Sequence, residues 1–267
     1  MRAPHFAEDR FRLYDGDSLE VLCELPKGSV KAIFADPPYN LSNGGISCRA
    51  GKMVSVNKAD WDRSKGFEQD YAFTKAWLAQ CREVLHPNGS IWVSGTSHNI
   101  YQVGHALQSL GFHILNEISW YKPNAPPNLS CRYFAHSHET LIWARKDKAA
   151  KHTFNYQAMR EWPDAVSPKG KQMRSVWHIP LTPKSEKRFG YHPTQKPLEL
   201  LRRIVTASTN KDDLILDPFN GSGTTGIAAH ELQRRYIGID QEQKYLDVTI
   251  RRLKNVIAQK TLPAQPI

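Results

Sequence analysis

Short apolar runs alternate with amphipathic stretches along most of the chain. Runs rich in Val, Ile, Phe and Trp are typical of buried strands, and they predict strands over residues 30–35, 90–94, 112–121, 138–144, 214–217 and 236–239. Apolar residues that recur every three or four positions predict helices over residues 18–25, 67–85, 98–110, 197–208, 224–232 and 245–257. This alternation predicts an α/β fold, in which a mostly parallel, doubly wound sheet carries helices on both faces.

Two stretches interrupt the alternation. Residues 40–61 show neither period and contain many small polar residues, so we interpret them as a mobile lid; Trp61 at their end either stacks on a base or packs in the core. Residues 145–190 are the second interruption. We therefore predict one domain in two halves, residues 1–144 and 191–257, with residues 145–190 inserted and residues 258–267 as a frayed tail.

The first candidate site follows the predicted strand at residues 30–35. Its sequence is Asp36-Pro37-Pro38-Tyr39, and the two prolines end the strand abruptly. Ligands of open α/β sheets bind outside the carboxyl ends of the strands, so a carboxylate, a backbone carbonyl and an aromatic ring are presented to a substrate. A rigid turn with Asp36 as a cap explains the same residues about equally well.

A glycine-rich turn follows the predicted strand at residues 214–217. It reads Asp217-Pro218-Phe219-Asn220-Gly221-Ser222-Gly223-Thr224-Thr225 and leads into a helix, an arrangement that lets backbone approach a cofactor. Asp240 ends the next strand about 20 residues later, where a carboxylate can hold ribose hydroxyls. The alternatives are a simple tight turn for the glycines and a helix cap for Asp240.

Two further segments have local explanations. Asp17 lies at a strand-to-helix turn, where a helix cap is the favoured interpretation and a cofactor contact the alternative. The hexapeptide His192-Pro193-Thr194-Gln195-Lys196-Pro197 precedes a predicted helix; Pro197 starts the helix, Thr194 or Gln195 caps it, and Lys196 can pair with an anionic ligand. The hexapeptide alone is ambiguous.

Composition and charge narrow the class of protein. The 267 residues are 40% hydrophobic and 23% charged, which is typical of a globular domain with a sizeable core. The net charge of +10 favours a polyanionic partner. The four cysteines are scattered, so we expect neither a metal site nor disulfides, and the lack of a long apolar run predicts a cytoplasmic protein without a membrane partner.

Most of the excess positive charge lies in residues 145–190. This basic block has eleven Lys or Arg and four acidic residues, interleaved with Trp162, Trp177 and four prolines. Cations neutralise phosphates and aromatic rings reach bases, so the block favours a nucleic-acid surface over an ordinary solvated insertion. Its candidate DNA-binding residues are Lys151, Arg160, Lys169, Lys171, Arg174, Lys184 and Arg188.

Together and in this order, the motifs resemble the β class of S-adenosylmethionine-dependent amino-DNA methyltransferases. In that class the catalytic motif comes first, the target-recognition region second and the cofactor motif last. The resemblance implies a Rossmann-like methyltransferase fold, S-adenosylmethionine as cofactor and double-stranded DNA as substrate. It assigns catalysis to Asp36, Pro37, Pro38 and Tyr39, and it places Lys122, in Trp120-Tyr121-Lys122-Pro123, beside the target base. It assigns cofactor binding to Asp17, Asp36, His192, Thr194, Gln195, Lys196, Asp217, Phe219, Asn220, Gly221, Ser222, Gly223, Thr224 and Asp240.

The first residue of the catalytic motif indicates the target base. Adenine-N6 members of the family usually carry Asp there and cytosine-N4 members Ser, so Asp36 implies methylation of a flipped adenine, on which Tyr39 stacks. The alternatives are cytosine-N4 methylation, methylation of RNA or of a protein amide, and a non-catalytic DNA-binding subunit. The resemblance also implies a short, nucleoid-associated bacterial enzyme of a restriction-modification system, with a second copy of the chain and a cognate restriction endonuclease as candidate partners.

Overall fold

A computed structural model describes residues 2–42, 46–49, 52–55 and 62–261 of the chain. The described strands are β1 Phe6–Glu8, β2 Phe11–Asp15, β3 Val30–Ala35, β4 Ile46–Arg49, β5 Lys52–Ser55, β6 Leu85–Gly95, β7 His113–Tyr121, β8 His138–Arg145, β9 Val176–His178, β10 Leu214–Asp217 and β11 Arg235–Asp240. Nine of them form one sheet in the order β1-β2-β11-β10-β3-β6-β8-β7-β9, and β4 and β5 pair separately.

The central strands of the sheet run in one direction. Strands β2, β11, β10, β3 and β6 are parallel neighbours, whereas β8 is antiparallel to both β6 and β7. The prediction of a mostly parallel α/β sheet is therefore confirmed. Because β3, β6, β7, β10 and β11 all end at the same edge, the turns that follow them lie together. We call this edge the carboxyl edge.

The helices cover both faces of the sheet. They are α1 Ser18–Glu24, α2 Phe67–Val84, α3 Ile100–Ser109, α4 Tyr156–Glu161, α5 Leu198–Ser208, α6 Thr224–Glu231 and α7 Gln243–Thr261. Side chains alternate along β6, so Ile91 packs in the core beneath α1, α2 and α3, whereas Trp92 packs in the core beneath α5, α6 and α7. Trp92 stacks on Trp143 at 4.7 Å between ring centroids, and its Nε1 donates to Ser208 Oγ at 3.1 Å.

Three segments differ from the predictions. The helix predicted over residues 67–85 ends at Val84, and β6 already begins at Leu85. A register shift opposite Val30 lets the strand accommodate Pro87, which has no N–H to donate. The antiparallel strands β4 and β5 lie in a stretch where the sequence shows no period. At the other end, α7 continues to Thr261, past the predicted start of the frayed tail.

Some predictions fall outside the described residues. Residues 43–45, 50, 51 and 56–61, which include Trp61, are among these, as are residues 262–267. The lid hypothesis, the role of Trp61 and the end of the tail therefore stay predictions.

The basic block packs into the fold. It supplies β9, which pairs with β7, and Trp177 in that strand is buried. A buried ion pair ties the block to α5, with Arg203 Nη1 at 2.6 Å from Asp164 Oδ2. The block is thus attached to the same sheet as the rest of the chain, and its limits at residues 145 and 190 stay a prediction.

Candidate active site

Asp36 follows β3 directly and lies at the centre of a polar cluster. Its Oδ1 accepts hydrogen bonds from Tyr39 OH at 2.6 Å and from Ser94 Oγ at 2.5 Å, and its Oδ2 accepts from Lys196 Nζ at 2.7 Å. Lys196 is 160 residues away along the chain. The structure thus brings the Asp-Pro-Pro-Tyr motif and the hexapeptide together.

Glu139 is a second carboxylate in this cluster. It is the second residue of β8; its Oε1 lies 3.2 Å from Lys122 Nζ and its Oε2 lies 3.6 Å from Lys196 Nζ. Burial alone would raise the pKa of Glu139, but Lys196 and Lys122 outweigh it and hold that pKa below its ordinary value. Burial opposes the charge of Lys196 as well, yet Asp36 and Glu139 raise the lysine pKa above its ordinary value. The cluster therefore alternates ammonium groups and carboxylates in a buried setting.

Tyr39 joins the two carboxylates. Its hydroxyl lies 2.6 Å from Asp36 Oδ1 and 3.1 Å from Glu139 Oε2. Burial, reinforced by these two negative charges, raises the pKa of Tyr39 well above its ordinary value, so the hydroxyl stays a donor. Lys196 Nζ lies 5.0 Å from the centroid of the Tyr39 ring and covers one face of it.

Asp62 fixes the turn that follows Tyr39. Its Oδ1 accepts from the backbone N–H groups of Tyr39 at 2.9 Å and Asn40 at 3.0 Å, and its Oδ2 accepts from Leu41 N at 3.2 Å. The side chain is buried. One carboxylate thereby satisfies three donors that the prolines leave without a regular partner.

The glycine-rich turn after β10 is built around Asp217. This carboxylate accepts from Phe219 N at 3.0 Å and from Thr225 Oγ1 at 2.6 Å, and burial raises its pKa to about 7. Gly221 and Gly223 have φ values of +51° and +73°, in the left-handed region that favours glycine.

The two glycines also make room for neighbouring protein atoms. A Cβ on Gly223 would lie 2.2 Å from Thr249 Cγ2 in α7, and a Cβ on Gly221 would lie 3.0 Å from His192 Nε2. The absence of a side chain at Gly223 therefore lets α7 pack against the turn, whereas the sequence predicted that it lets a cofactor approach the backbone.

Asp240 and Asp17 both act locally and face the same cavity. Asp240 accepts from Gly221 N at 2.7 Å and from Glu242 N at 2.9 Å, and burial raises its pKa to about 6. Asp17 is the N-cap of α1 and accepts from Leu19 N at 2.8 Å. Each carboxylate keeps further lone pairs, so the capping interpretation and a ligand contact are compatible.

A cavity of about 470 Å³ opens at the carboxyl edge between these groups. Its lining includes every predicted catalytic and cofactor-binding residue except Gly223. It also includes residues that the sequence did not indicate, chiefly the first two turns of α2 (Gln69, Asp70, Phe73 and Thr74) and Tyr245 of α7. The volume lies in the usual range for small-molecule and cofactor sites, about 300–1,000 Å³.

The predicted DNA-binding residues do not share one surface. Lys122 is nearly buried against Glu139. Arg160 donates to the Gly170 carbonyl at 2.9 Å and closes a turn. Lys151 N donates to Asn88 Oδ1, near the start of β6 and about 17 Å or more along the strands from the level of Asp36. The exposed members of the set are Lys151, Lys169, Lys171, Arg174, Lys184 and Arg188.

Sequence reasoning missed Glu139, Ser94 and Asp62. Glu139 and Ser94 are polar residues at strand ends on the carboxyl edge, and that position is the signal that could have indicated them. Asp62 offers no such signal, because its partners are backbone N–H groups that approach it only after the chain folds back. Within the described ranges, no group of three or more His, Cys, Asp or Glu is placed to hold a metal ion, and no helix is long and apolar enough to cross a membrane.

The fold and the cavity define a Rossmann-like α/β protein whose ligand site lies at the carboxyl edge of the sheet. Comparisons with known proteins narrow this class. The chain is 52% identical over 255 residues to the Type II methyltransferase M2.DpnII of Streptococcus pneumoniae, covering 95% of this chain and 93% of the relative. It is 47% identical over 266 residues to M2.MboI of Moraxella bovis, covering 96% of both chains. The crystal structure of the M1.HpyAVI–SAM complex superposes with a TM-score of 0.66 at 27% identity, covering 91% of this chain and 98% of that one.

Residues 30–251 match the sequence profile of the N6/N4 DNA methylase family, and the chain belongs to this family. The predictions of a DNA methyltransferase, of S-adenosylmethionine as its cofactor and of a Rossmann-like fold are confirmed. DNA is accordingly its substrate.

Proposed function

We propose that the enzyme methylates the N6 amine of an adenine flipped out of duplex DNA, and that Asp36 receives that amine. The observation that carries the proposal is the shared cavity at the carboxyl edge. Asp36 lines it together with the glycine-rich turn and Asp240, so a methyl donor held by the late motifs faces the early carboxylate.

The adenine amine is a poor nucleophile because its lone pair is delocalised into the ring. In the proposed complex Asp36 accepts one N–H and the Pro37 carbonyl accepts the other, which localises the lone pair on nitrogen. The Pro38 carbonyl already accepts from Asn99 Nδ2 at 3.3 Å, whereas no donor in the described part of the chain reaches the Pro37 carbonyl. After transfer the nitrogen is cationic and loses a proton to Asp36, the acceptor already in place.

The residues around the cavity fit S-adenosylmethionine, which supplies an electrophilic methyl group when bound. Asp240 lines the cavity and accepts from two backbone donors among the described residues, so its remaining lone pairs can accept from ribose hydroxyls. Asp17 and Phe219 line the same space and are proposed to contact the adenine ring of the cofactor. The cavity lining also contains Asp36, His192, Thr194, Gln195, Lys196, Asp217, Asn220, Gly221, Ser222 and Thr224, which together with Gly223 complete the proposed cofactor set.

Tyr39 is the proposed stacking partner of the flipped base. Its ring lies under Lys196 and is almost fully buried, so stacking requires the Lys196 side chain to move aside. That movement would also free Oδ2 of Asp36 for the incoming amine. Base stacking contributes about 1–3 kcal/mol per base, enough to stabilise the rearranged site.

Partners and cell location are also inferred. The Type II designation of M2.DpnII and M2.MboI, together with the resemblance, supports a role beside a cognate restriction endonuclease. A homodimer and a cytoplasmic, nucleoid-associated location rest on the resemblance and on the net positive charge.

Methylated-nucleoside analysis tests the base assignment directly. The chain is expressed in a host that lacks DNA methylation, and the host DNA is examined by mass spectrometry and single-molecule sequencing. We expect N6-methyladenine at one recurrent sequence. N4-methylcytosine instead would overturn the adenine assignment.

A further inference from the structure

The loop between β7 and β8, residues 122–137, exposes apolar side chains beside the polar cluster. Phe134 is 95% exposed, Tyr133 60% and Leu129 37%. Single exposed hydrophobic residues are common, but three within six residues of one loop make this patch a candidate contact surface. We call this segment the β7–β8 loop.

The two ends of the β7–β8 loop lie next to the proposed catalytic cluster. Strand β7 ends at Tyr121 and β8 begins at His138, and these two residues pair at the carboxyl edge. Lys122 N donates to Ser137 O at 2.8 Å and closes the neck of the loop. Lys122 Nζ then contacts Glu139, which lies 3.1 Å from the Tyr39 hydroxyl. The base of the β7–β8 loop is therefore connected to Asp36 through the side chains of Glu139 and Tyr39.

The tip of the loop has its own internal structure. Asn128 Nδ2 donates to Tyr133 O at 2.6 Å, and Asn128 Oδ1 accepts from Ser130 N at 3.0 Å. These bonds hold the two sides of the tip together. Prolines 123, 126 and 127 restrict the backbone of the first half of the loop. The exposed rings are thus carried on a braced support, which lowers the entropy lost when they bind.

Charge indicates which ligand suits the patch. From Pro123 to Ser137 the sequence contains one Lys or Arg, Arg132, and neither Asp nor Glu. An apolar tip with one cation and no carboxylate suits a nucleic acid, whose bases offer stacking faces and whose phosphates are anionic. The duplex that carries the target base is such a ligand, and the proposed function brings it to this edge of the sheet.

We propose that the β7–β8 loop is a wedge that enters the duplex beside the flipped base, with Phe134 as the inserted side chain. Apolar side chains placed between base steps stabilise unstacked DNA, and a flipped base leaves a gap that must be filled. This inference rests on the proposed base flipping, and it gives the loop a role distinct from that of Asp36.

The test compares two duplexes that carry the recognition sequence found by sequencing. In one the target base is normally paired, and in the other it faces an abasic site, so that little work is needed to extrude it. Phe134→Ala is expected to lower kcat/KM on the paired duplex by about 5- to 150-fold, the range that corresponds to one lost base stack. On the abasic duplex we expect a loss of less than about threefold, because extrusion is already easy.

Two further variants make the result specific. Phe134→Trp keeps a flat ring and should retain kcat/KM on both duplexes. Tyr156→Ala is the control, because it removes an exposed aromatic ring at the opposite edge of the sheet. The neighbouring Asn155 places it there, since its backbone N–H donates to Ala207 O in the last turn of α5. The control should affect neither duplex.

An equal loss for Phe134→Ala on both duplexes, or no loss on either, would overturn the wedge. No loss on either duplex would point instead to a protein partner for the loop. The base assignment fails separately, because it is read from the product that the unaltered enzyme makes.

Discussion

The buried charges around Asp36 predict a strong response to the loss of one cation. Lys196→Met removes the ammonium that lies 2.7 Å from Asp36 Oδ2 and 3.6 Å from Glu139 Oε2, and it keeps the length of the side chain. Lys196, Asp36 and Glu139 are 7%, 14% and 13% exposed in their side chains, so water cannot replace the lost partner well. Two carboxylates would then be joined by the Tyr39 hydroxyl, with Lys122 as the remaining cation.

The size of the effect follows from these distances. At 2.7 Å and an effective dielectric constant of about 20, the attraction between the charges of Lys196 and Asp36 is about 6 kcal/mol before desolvation is counted. Removing one partner of a buried pair usually costs about 3–5 kcal/mol, because the other charge is left uncompensated. We therefore expect Lys196→Met to lower the free energy of unfolding by about 3–5 kcal/mol near pH 8.

The loss should shrink as the pH falls. Lys196 is the main cause that lowers the pKa of Glu139, so without it burial should raise that pKa above its value in the unfolded chain, and the folded variant then takes up a proton that the unfolded chain does not. Its stability relative to the unaltered protein must then increase between pH 8 and pH 5.

Urea unfolding measures this directly. Lys27→Met is the matched control, because Lys27 is 81% exposed and pairs with Glu83 at 2.9 Å on the surface. Exposed pairs contribute about 0–1 kcal/mol, so the control should stay close to the unaltered protein. Adding Glu139→Gln to Lys196→Met should restore part of the stability, since it removes one of the like charges. The reasoning is refuted if Lys196→Met is as stable as the control, or if the second change lowers stability further.

Three more predictions concern the cofactor turn and the basic residues. Asp240→Asn should weaken S-adenosylmethionine binding in calorimetry. In the unaltered enzyme the affinity should fall as the pH drops through about 6, because protonation of Asp240 removes an acceptor. An affinity that is flat from pH 5 to 8 would argue against this role. Gly223→Ala should lower the free energy of unfolding by more than about 2 kcal/mol, because its Cβ would clash with Thr249 in α7. The control Gly170→Ala, at φ +82° with open space around it, should lower it by only about 1 kcal/mol. Equal losses in urea unfolding would contradict the packing of Gly223 against α7. Lys184→Ala should reduce the slope of DNA affinity against salt concentration by about one, whereas Lys151→Ala at the opposite edge should leave it unchanged; the reverse order would show that the duplex lies elsewhere.

The sequence predicted the elements whose signals are local. The helix that starts at Phe67 and the strand Val30–Ala35 have clear periods and clear stop residues, and both lie where they were expected. The catalytic and cofactor motifs were located from turns at strand ends, which is where an open sheet places its ligands. The strand predicted over residues 90–94 starts earlier, at Leu85, because its bulged first part accommodates Pro87, a residue that is normally found outside strands.

Long-range partners were not predictable from local patterns. Glu139 becomes part of the site only because β8 inserts antiparallel between β6 and β7 and returns its first residues to the carboxyl edge. The basic block posed the same difficulty. Its charges are adjacent in sequence, but Lys151 lies at the far edge of the sheet, while Arg160 is occupied in closing a turn. The composition of the basic block predicted that it binds a nucleic acid, but it did not indicate which of its side chains can contact that ligand.

Methyl transfer by the Asp36→Ala variant tests the central claim most directly. The variant and the unaltered enzyme are compared for transfer of tritiated methyl groups to unmethylated DNA, and S-adenosylmethionine binding is measured on the same preparations. The proposed site predicts that transfer is abolished while the dissociation constant for S-adenosylmethionine changes by less than about threefold. Transfer at the unaltered rate would contradict the role of Asp36, and an equal loss of cofactor binding would show that the carboxylate holds the donor and does not receive the amine.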